Sequence, residues 1–385
     1  MKEYVIEGID YRTGKPIRIS MASGLISEVE PSASDFDSTL FVAPGLVDLQ
    51  INGYNGIDLN EPDLEVENIE RMTRHLWQQG VTTFFPTIIT NSNNETKSVL
   101  KKVSLAIQTF PEVDASIGGI HLEGPFISSE DGPRGAHPKQ FVQAPDWNLF
   151  SGWQEASGNR IRIVTLSPEW PGSDYFIRKC VSSGVVVSIG HTAASPEQIR
   201  QAVEAGARLS THLGNGAHYM MPRHPNYIWE QLASENLWTT MIADGFHLPD
   251  SVLKVFLKVK PETSILVSDA TSFAGLAPGT YSGHIGGEVE LSPEGRLFVK
   301  GNPQYLAGSA QTLLWSINQL VRREILPLSK AWDLASLKPV SFLNNRNENA
   351  FQVGSPSDLV LFRKTSEGIE IAQTVKSGET VFNTN

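Results

Sequence analysis

Cysteine is nearly absent: the 385 residues contain one, Cys180. A single thiol excludes an internal disulfide and any Cys-x-x-Cys metal site, and it suits a reducing compartment. Clustered positive charge is missing too. Thirty-one Lys and Arg stand against 42 Asp and Glu, a formal net charge of −11. Phosphate-backbone binding rests on basic clusters, so nucleic acid is not an expected partner. No run approaches the roughly 20 apolar residues of a membrane span. The start, MKEYVIEGID, carries charges where a signal peptide needs an apolar core. A cytoplasmic protein without membrane contact is expected. There is no internal repeat and no low-complexity tract. What is present is a chain that is 40% hydrophobic and 19% charged, enough for one large domain with or without a smaller companion.

Short β-branched runs alternate with segments of helical period, as in a parallel sheet with crossover helices. The runs lie at 45–51, 81–89, 116–124, 160–168, 185–192, 207–215, 238–246 and 264–271. Candidate helices between them include 64–80, 250–259 and 195–207, where Ser195 and Gln198 have capping-box spacing. Eight β-then-α units predict a (β/α)8 TIM barrel over 42–349. Residues 1–41 and 350–385 alternate short strands with turns. They predict a small, discontinuous, β-sandwich-like domain built from both termini. A Gly-rich hairpin segment, 279–301, interrupts the chain after the eighth strand and is a candidate addition to that small domain.

A barrel builds its active site at the C-terminal ends of its strands. The predicted strands end in Gln50 and Asn52, Glu123, His191, His212 with Asn215, Asp244 with His247, and Asp269. His121 and Glu123, two residues apart on one strand, leave it on the same face just before Gly124 and Pro125 end it. A catalytic metal site uses three protein ligands and leaves a position open, a count that Glu123, His191 and His212 fit. Such an ion makes water a nucleophile at neutral pH. Asp269 can serve as the base that takes and passes on a proton, and His247 can hydrogen-bond a carbonyl oxygen. The chemistry is hydrolysis of an amide or a similar acyl bond.

The motifs APGLVDLQINGYNG, GIHLEGPF, SIGHT, STHLGNG, ADGFHL, LVSDAT and LAGS resemble, in order and spacing, the amidohydrolase superfamily. Within it they resemble the N-acetylglucosamine-6-phosphate deacetylases, over nearly the whole chain. The resemblance implies removal of the acetyl group from an amino-sugar phosphate, giving glucosamine 6-phosphate and acetate. It implies Glu123, His191 and His212 as metal ligands, Asp269 as general base and acid, and His247 on the substrate carbonyl. Many amidohydrolases have His-x-His after the first strand. This chain has Gln50 and Asn52, as one branch of the deacetylases does. One divalent ion per subunit is therefore expected, zinc first, with iron, cobalt and manganese as alternatives. Arg223 matches an arginine that binds the sugar phosphate. His137, in RGAH, matches a histidine supplied by the neighbouring subunit, which implies a homodimer. Asn215, the Gly216 backbone and Leu306 in LAGS fall among the substrate contacts.

One segment departs from the family. It typically reads HLFNAM where this chain reads HLGNGAHYMMPRHPN. Losing the aromatic and gaining His218 and His224 changes the pocket wall. Two alternatives therefore stay open: an amidohydrolase acting on another N-acyl or cyclic amide, and a catalytically inert barrel serving as a binding subunit. His121 either supports Glu123 or packs. His75 and His284 read as surface or packing residues, and Trp147, Trp153, Trp170 and Trp229 as core before sugar pocket.

Overall fold

Strands covered on both faces read as continuous apolar runs, and Leu46–Ile51 is buried at all six positions. In the computed structural model, which describes residues 4–384 except 33–36, 38 and 284–286, it is the first of eight parallel strands. The others are Val81–Ile89, Ile120–Glu123, Ile161–Leu166, Val186–Ile189, Leu209–Ser210, Trp238–Met241 and Ser264–Leu266. Each pairs with the next in chain order. The two ends of the sheet meet where Ile51 bridges Ala270, Asn52 N–H donates to Ala270 O (2.8 Å) and Asp269 N–H donates to Gln50 O (2.9 Å). Val47, Leu49, Phe85, Ile163, Leu209, Ile242, Ile265 and Val267 form one buried cluster with Phe342. They come from opposite sides of the ring, so they can meet only inside it.

The connecting helices present one apolar stripe each. Val66–Trp77 buries Ile69, Met72, Thr73, Leu76 and Trp77, the spacing of a helix face. Pro196–Glu204 begins with the predicted capping box: Ser195 Oγ accepts from Gln198 N–H, and the Gln198 side chain accepts from Ser195 N–H at 2.8 Å. The helix after the eighth strand, Leu313–Arg322, follows an insertion.

Several strands are shorter than their apolar runs. The runs at 207–215 and 264–271 yield only Leu209–Ser210 and Ser264–Leu266. Beyond each strand lies a non-glycine residue in the left-handed region: His212 at φ 28°, Asp269 at φ 47° and, after Val186–Ile189, His191 at φ 48°. A positive φ turns the chain off the ladder, and residues other than glycine adopt it only where surrounding structure holds them.

The two termini share one seven-stranded sheet, in the order Glu379–Asn383, Ile369–Lys376, Leu359–Lys364, Leu40–Pro44, Tyr4–Asp10, Pro16–Ala22, Leu25–Pro31. Leu40–Pro44 runs past residue 41 and leads through Gly45 into the first barrel strand. Leu359–Lys364 shows how the sheet meets the barrel. Val360 and Phe362 join the barrel's outer core, while Leu359 and Leu361 join Ile6, Ile19, Met21, Ile26, Val42 and Val375 in the sheet's own core, the two-residue alternation of a strand. Buried Lys376 pairs with Asp358 (2.6 Å) and reaches Thr83 Oγ1 of the second barrel strand (3.3 Å).

Among the described residues, the hairpin segment forms a sheet of its own and does not pair with the terminal sheet. Gly279–Gly283, Gly287–Leu291, Leu297–Val299 and Asn302–Leu306 pair antiparallel with one another, around Val289, Leu291, Leu297 and Ala310. Strands joined by short turns find their partners next in sequence before they find distant ones. His284 lies outside the described residues. Among the described residues no helix is long and apolar enough to cross a membrane.

Candidate active site

Three strand ends deliver one atom each to a common point. Glu123 Oε1 lies 3.1 Å from His212 Nε2 and 3.3 Å from His191 Nε2, and the two imidazole nitrogens are 3.1 Å apart. A tetrahedral ion with bonds of about 2.0–2.1 Å separates its ligand atoms by roughly 3.3 Å, so the triangle has the size of one face of such a site. The donor chemistry agrees. His191 Nδ1–H donates to Pro133 O at 2.8 Å, so in the neutral ring Nε2 offers a lone pair. That lone pair points at a second imidazole nitrogen and a carboxylate oxygen. With both rings neutral, more lone pairs than protons converge there, a mismatch that a cation relieves.

The seat of His191 is made by glycines. A Cβ on Gly216 would lie 2.7 Å from His191 Nδ1, and one on Gly135 would lie 3.2 Å from Cε1. Burial pushes the Glu123 carboxyl up, but hydrogen bonds and charge from His191 and His212 outweigh it and hold the group well below the usual carboxylate range. Burial pulls His212 down, and the bond to Glu123 with the charges of Glu123 and Asp269 reverses this, leaving it raised.

Asp269 stands beside the triangle. Its Oδ1 accepts from Asn52 Nδ2 (2.8 Å) and from Gln50 Nε2 (3.1 Å), and the same Gln50 amide donates to Glu123 Oε1 at 2.9 Å. Burial first, and the charge of Glu123 second, push the Asp269 carboxyl up to about 6. From sequence, Gln50 and Asn52 were polar strand ends and missing imidazoles. The structure makes Gln50 the group that joins the carboxylate of the triangle to Asp269, and Asn52 a second donor to Asp269. Their signal was the alternation in DLQIN, which puts Asp48, Gln50 and Asn52 two apart.

His247 follows the seventh strand and is anchored by Asp244. The Asp244 Oδ2 to His247 Nδ1 distance is 2.7 Å, and Oδ1 accepts the backbone N–H groups of Phe246 (2.8 Å) and His247 (2.9 Å). Burial pushes the Asp244 carboxyl up, but the His247 charge and these hydrogen bonds bring it below its ordinary value.

Other candidates fall differently. His121 does not touch Glu123: its Nδ1–H donates to Leu49 O (3.0 Å) and its Nε2 accepts from Thr165 Oγ1 (2.7 Å), pinning the first barrel strand to the fourth. His137 is no outstretched arm. It is 6% exposed, bonds Thr90 Oγ1 through Nδ1 (2.8 Å) and packs edge-on against His191 of its own chain, ring centroids 4.5 Å apart. The loop from 128 to 140 folds back because Pro133 O and Gly135 are part of the His191 seat. Asn215 Nδ2 donates to His212 O at 3.2 Å. Leu306 is half-buried at the end of the third sheet. Arg223 and His224 are exposed, and among the described residues the Arg223 side chain has neither an ion pair nor a hydrogen bond. His218 bonds Tyr227 OH (3.0 Å) and Glu130 (2.9 Å), tying two loops together. His75 meets Asn55 near the surface, Trp153 is fully buried core and Trp229 is exposed.

The Amidohydrolase family model matches residues 41–381. The chain belongs to the amidohydrolase family. Among its relatives in that family, the N-acetylglucosamine-6-phosphate deacetylase of Caenorhabditis elegans is 32% identical over 360 residues, covering 89% of this chain and 83% of that protein. The enzyme of the same name from Bos taurus is 29% identical over 350 residues, with 89% and 83% covered. The solved structure of the Thermotoga maritima N-acetylglucosamine-6-phosphate deacetylase matches with a TM-score of 0.84 at 26% identity, covering 99% of this chain and 100% of that one. The chain carries its buried Glu–His–His group at the ends of three barrel strands.

Proposed function

We propose that this amidohydrolase hydrolyses N-acetylglucosamine 6-phosphate to glucosamine 6-phosphate and acetate, with one divalent ion per subunit held by Glu123, His191 and His212. The observation that carries the reading is the buried triangle of these three ligand atoms beside Asp269. When bound, the ion supplies Lewis acidity, making water a nucleophile at neutral pH and polarising the amide carbonyl. Asp269 takes the proton of the attacking water and returns it to the leaving amine. Its Oδ1, held by Asn52 and Gln50 beside the triangle, is placed to do both. His247 donates to the acyl oxygen as negative charge develops on it. The unpaired guanidinium of Arg223 is available to a phosphate. Asn215, the Gly216 backbone, His137 and Leu306 complete the proposed substrate contacts, with His137 acting from its own subunit.

Zinc is the proposed ion, since a His₂-carboxylate set suits it and Gln50 and Asn52 stand where a second ion would need imidazoles. A homodimer and a cytoplasmic location complete the reading. Tyr219 (77% exposed), Met220 (91%) and Tyr305 form an apolar patch that a second copy can cover. Residues 45–349 are the proposed catalytic domain, and 1–44 with 350–385 its companion.

A second reading, another N-acyl or cyclic amide, draws on His218 of the segment that departs from the family, which bonds Glu130 of the loop after the third strand. The test is a deacetylation assay with N-acetylglucosamine 6-phosphate and unphosphorylated N-acetylglucosamine side by side, zinc supplied. Faster turnover of the phosphorylated sugar is expected. Equal turnover of both sugars would transfer the case to the second reading, and acetate from neither would remove the proposal.

A further inference from the structure

Asp244 has its two carboxylate oxygens committed to different tasks. Oδ1 accepts two backbone N–H groups in the turn after the seventh strand, which locks the side chain and leaves Oδ2 facing His247 Nδ1 at 2.7 Å. Trp315 Nε1–H donates to Asp244 O at 3.0 Å and fixes the same turn from the helix Leu313–Arg322. A carboxylate only accepts, so Nδ1 must carry a proton. Nε2 then bears a proton only if the ring is an imidazolium. Among the described residues no protein group bonds Nε2.

We propose that Asp244 is a positioning residue that holds His247 as a doubly protonated donor, Nδ1–H bonded to the Asp244 carboxylate and Nε2–H aimed at the acyl oxygen of the substrate. The inference rests on the deacetylase reading for what Nε2–H meets, but the state of the ring is a property of the protein. A neutral ring with its proton on Nδ1 would turn a lone pair towards the carbonyl oxygen and repel it. The imidazolium instead presents a charged donor where negative charge develops. The other charges around the turn are compatible. Arg323 packs against Gly245 but is paired with Asp250 at 2.8 Å, and the carboxylate of Asp269 acts on His247 with favourable sign.

Asp244→Asn separates charge from geometry. The two backbone N–H groups still require an oxygen, so the new amide nitrogen must face Nδ1. His247 then becomes a neutral ring with its proton on Nε2: still a donor, but uncharged. Turnover should fall roughly tenfold to a hundredfold, short of or equal to the loss of a whole oxyanion donor, with KM within about threefold. The deciding readout is the ring-nitrogen spectrum of ¹⁵N-histidine-labelled, zinc-loaded protein at pH 7, with the His247 signals identified by their loss in His247→Gln. Two protonated ring nitrogens in the wild type, changing to the neutral Nε2–H form in Asp244→Asn, support the proposal. A neutral His247 in the wild type overturns it, whether or not the variant folds, and so does wild-type turnover in Asp244→Asn. Failure of the wild type to release acetate would instead remove the deacetylase reading and leave the spectrum to decide the ring state.

Discussion

Acid should destabilise this protein through His121, and one substitution should remove that part of the effect. The ring is buried, donates from Nδ1 to Leu49 O and accepts at Nε2 from Thr165, whose hydroxyl lies 2.7 Å from Thr211 Oγ1, itself 2.6 Å from Ser188 Oγ. A second ring proton would meet a hydroxyl already donating to it, and would place a charge among these strands. Burial accordingly pulls His121 from 6.5 down to about 4. Between these values the unfolded chain binds a proton that the folded chain refuses. Stability therefore falls as pH drops through about 6.5 and levels off below about 4. The full effect is about 3 kcal/mol, of which about 2 kcal/mol has been lost by pH 5. His121→Gln can keep both contacts, amide N–H to Leu49 and oxygen to Thr165, without titrating. Urea unfolding of chelated protein at pH 7.5 and 5.0 should show the wild type losing about 2 kcal/mol more than the variant. Chelation removes the pH dependence of metal binding. His137, pulled by burial to about 3, titrates in both proteins and cancels. Equal losses in the two proteins would refute the argument.

Asp269→Asn should retain stoichiometric metal and lose at least about a hundredfold in turnover, as removal of a general acid–base group does; near-normal turnover would take Asp269 out of the mechanism. His191→Ala or His212→Ala leaves two strong protein ligands, so elemental analysis after dialysis should find the ion depleted and activity falling with occupancy. Tight, stoichiometric metal in both variants would mean other residues are the ligands. Gly216→Ala should weaken metal retention without replacing any ligand, because its Cβ would come within 2.7 Å of His191 Nδ1 at a residue with φ 54°; a variant that keeps its ion through the same dialysis as the wild type would show that the His191 seat yields at no cost.

Local periodicity carried much of this protein. Alternation of apolar runs with helical segments is enough to count eight βα units, and the run ends name Glu123, His191, His212 and Asp269, because a residue at the end of a parallel strand has one place to go once the barrel closes. What the strand ends do to one another was not legible. His191, His212 and Asp269 sit at positive φ, against their own preference, so no local propensity announces where their strands stop. Gln50 reaches Glu123 across 73 residues of chain and Asp269 across 219, and His121 turns to Leu49 and Thr165 instead of to the glutamate on its own strand. These contacts depend on the width of the ring and on which strands it sets face to face. His137, which by resemblance reaches a neighbouring subunit, packs in this chain against His191, where Pro133 O and Gly135 close on the ring. The sequence by itself determined the elements and the residues offered at their ends. Ring closure, which pairs groups far apart in the chain, decided which of those residues share protons, charge and space.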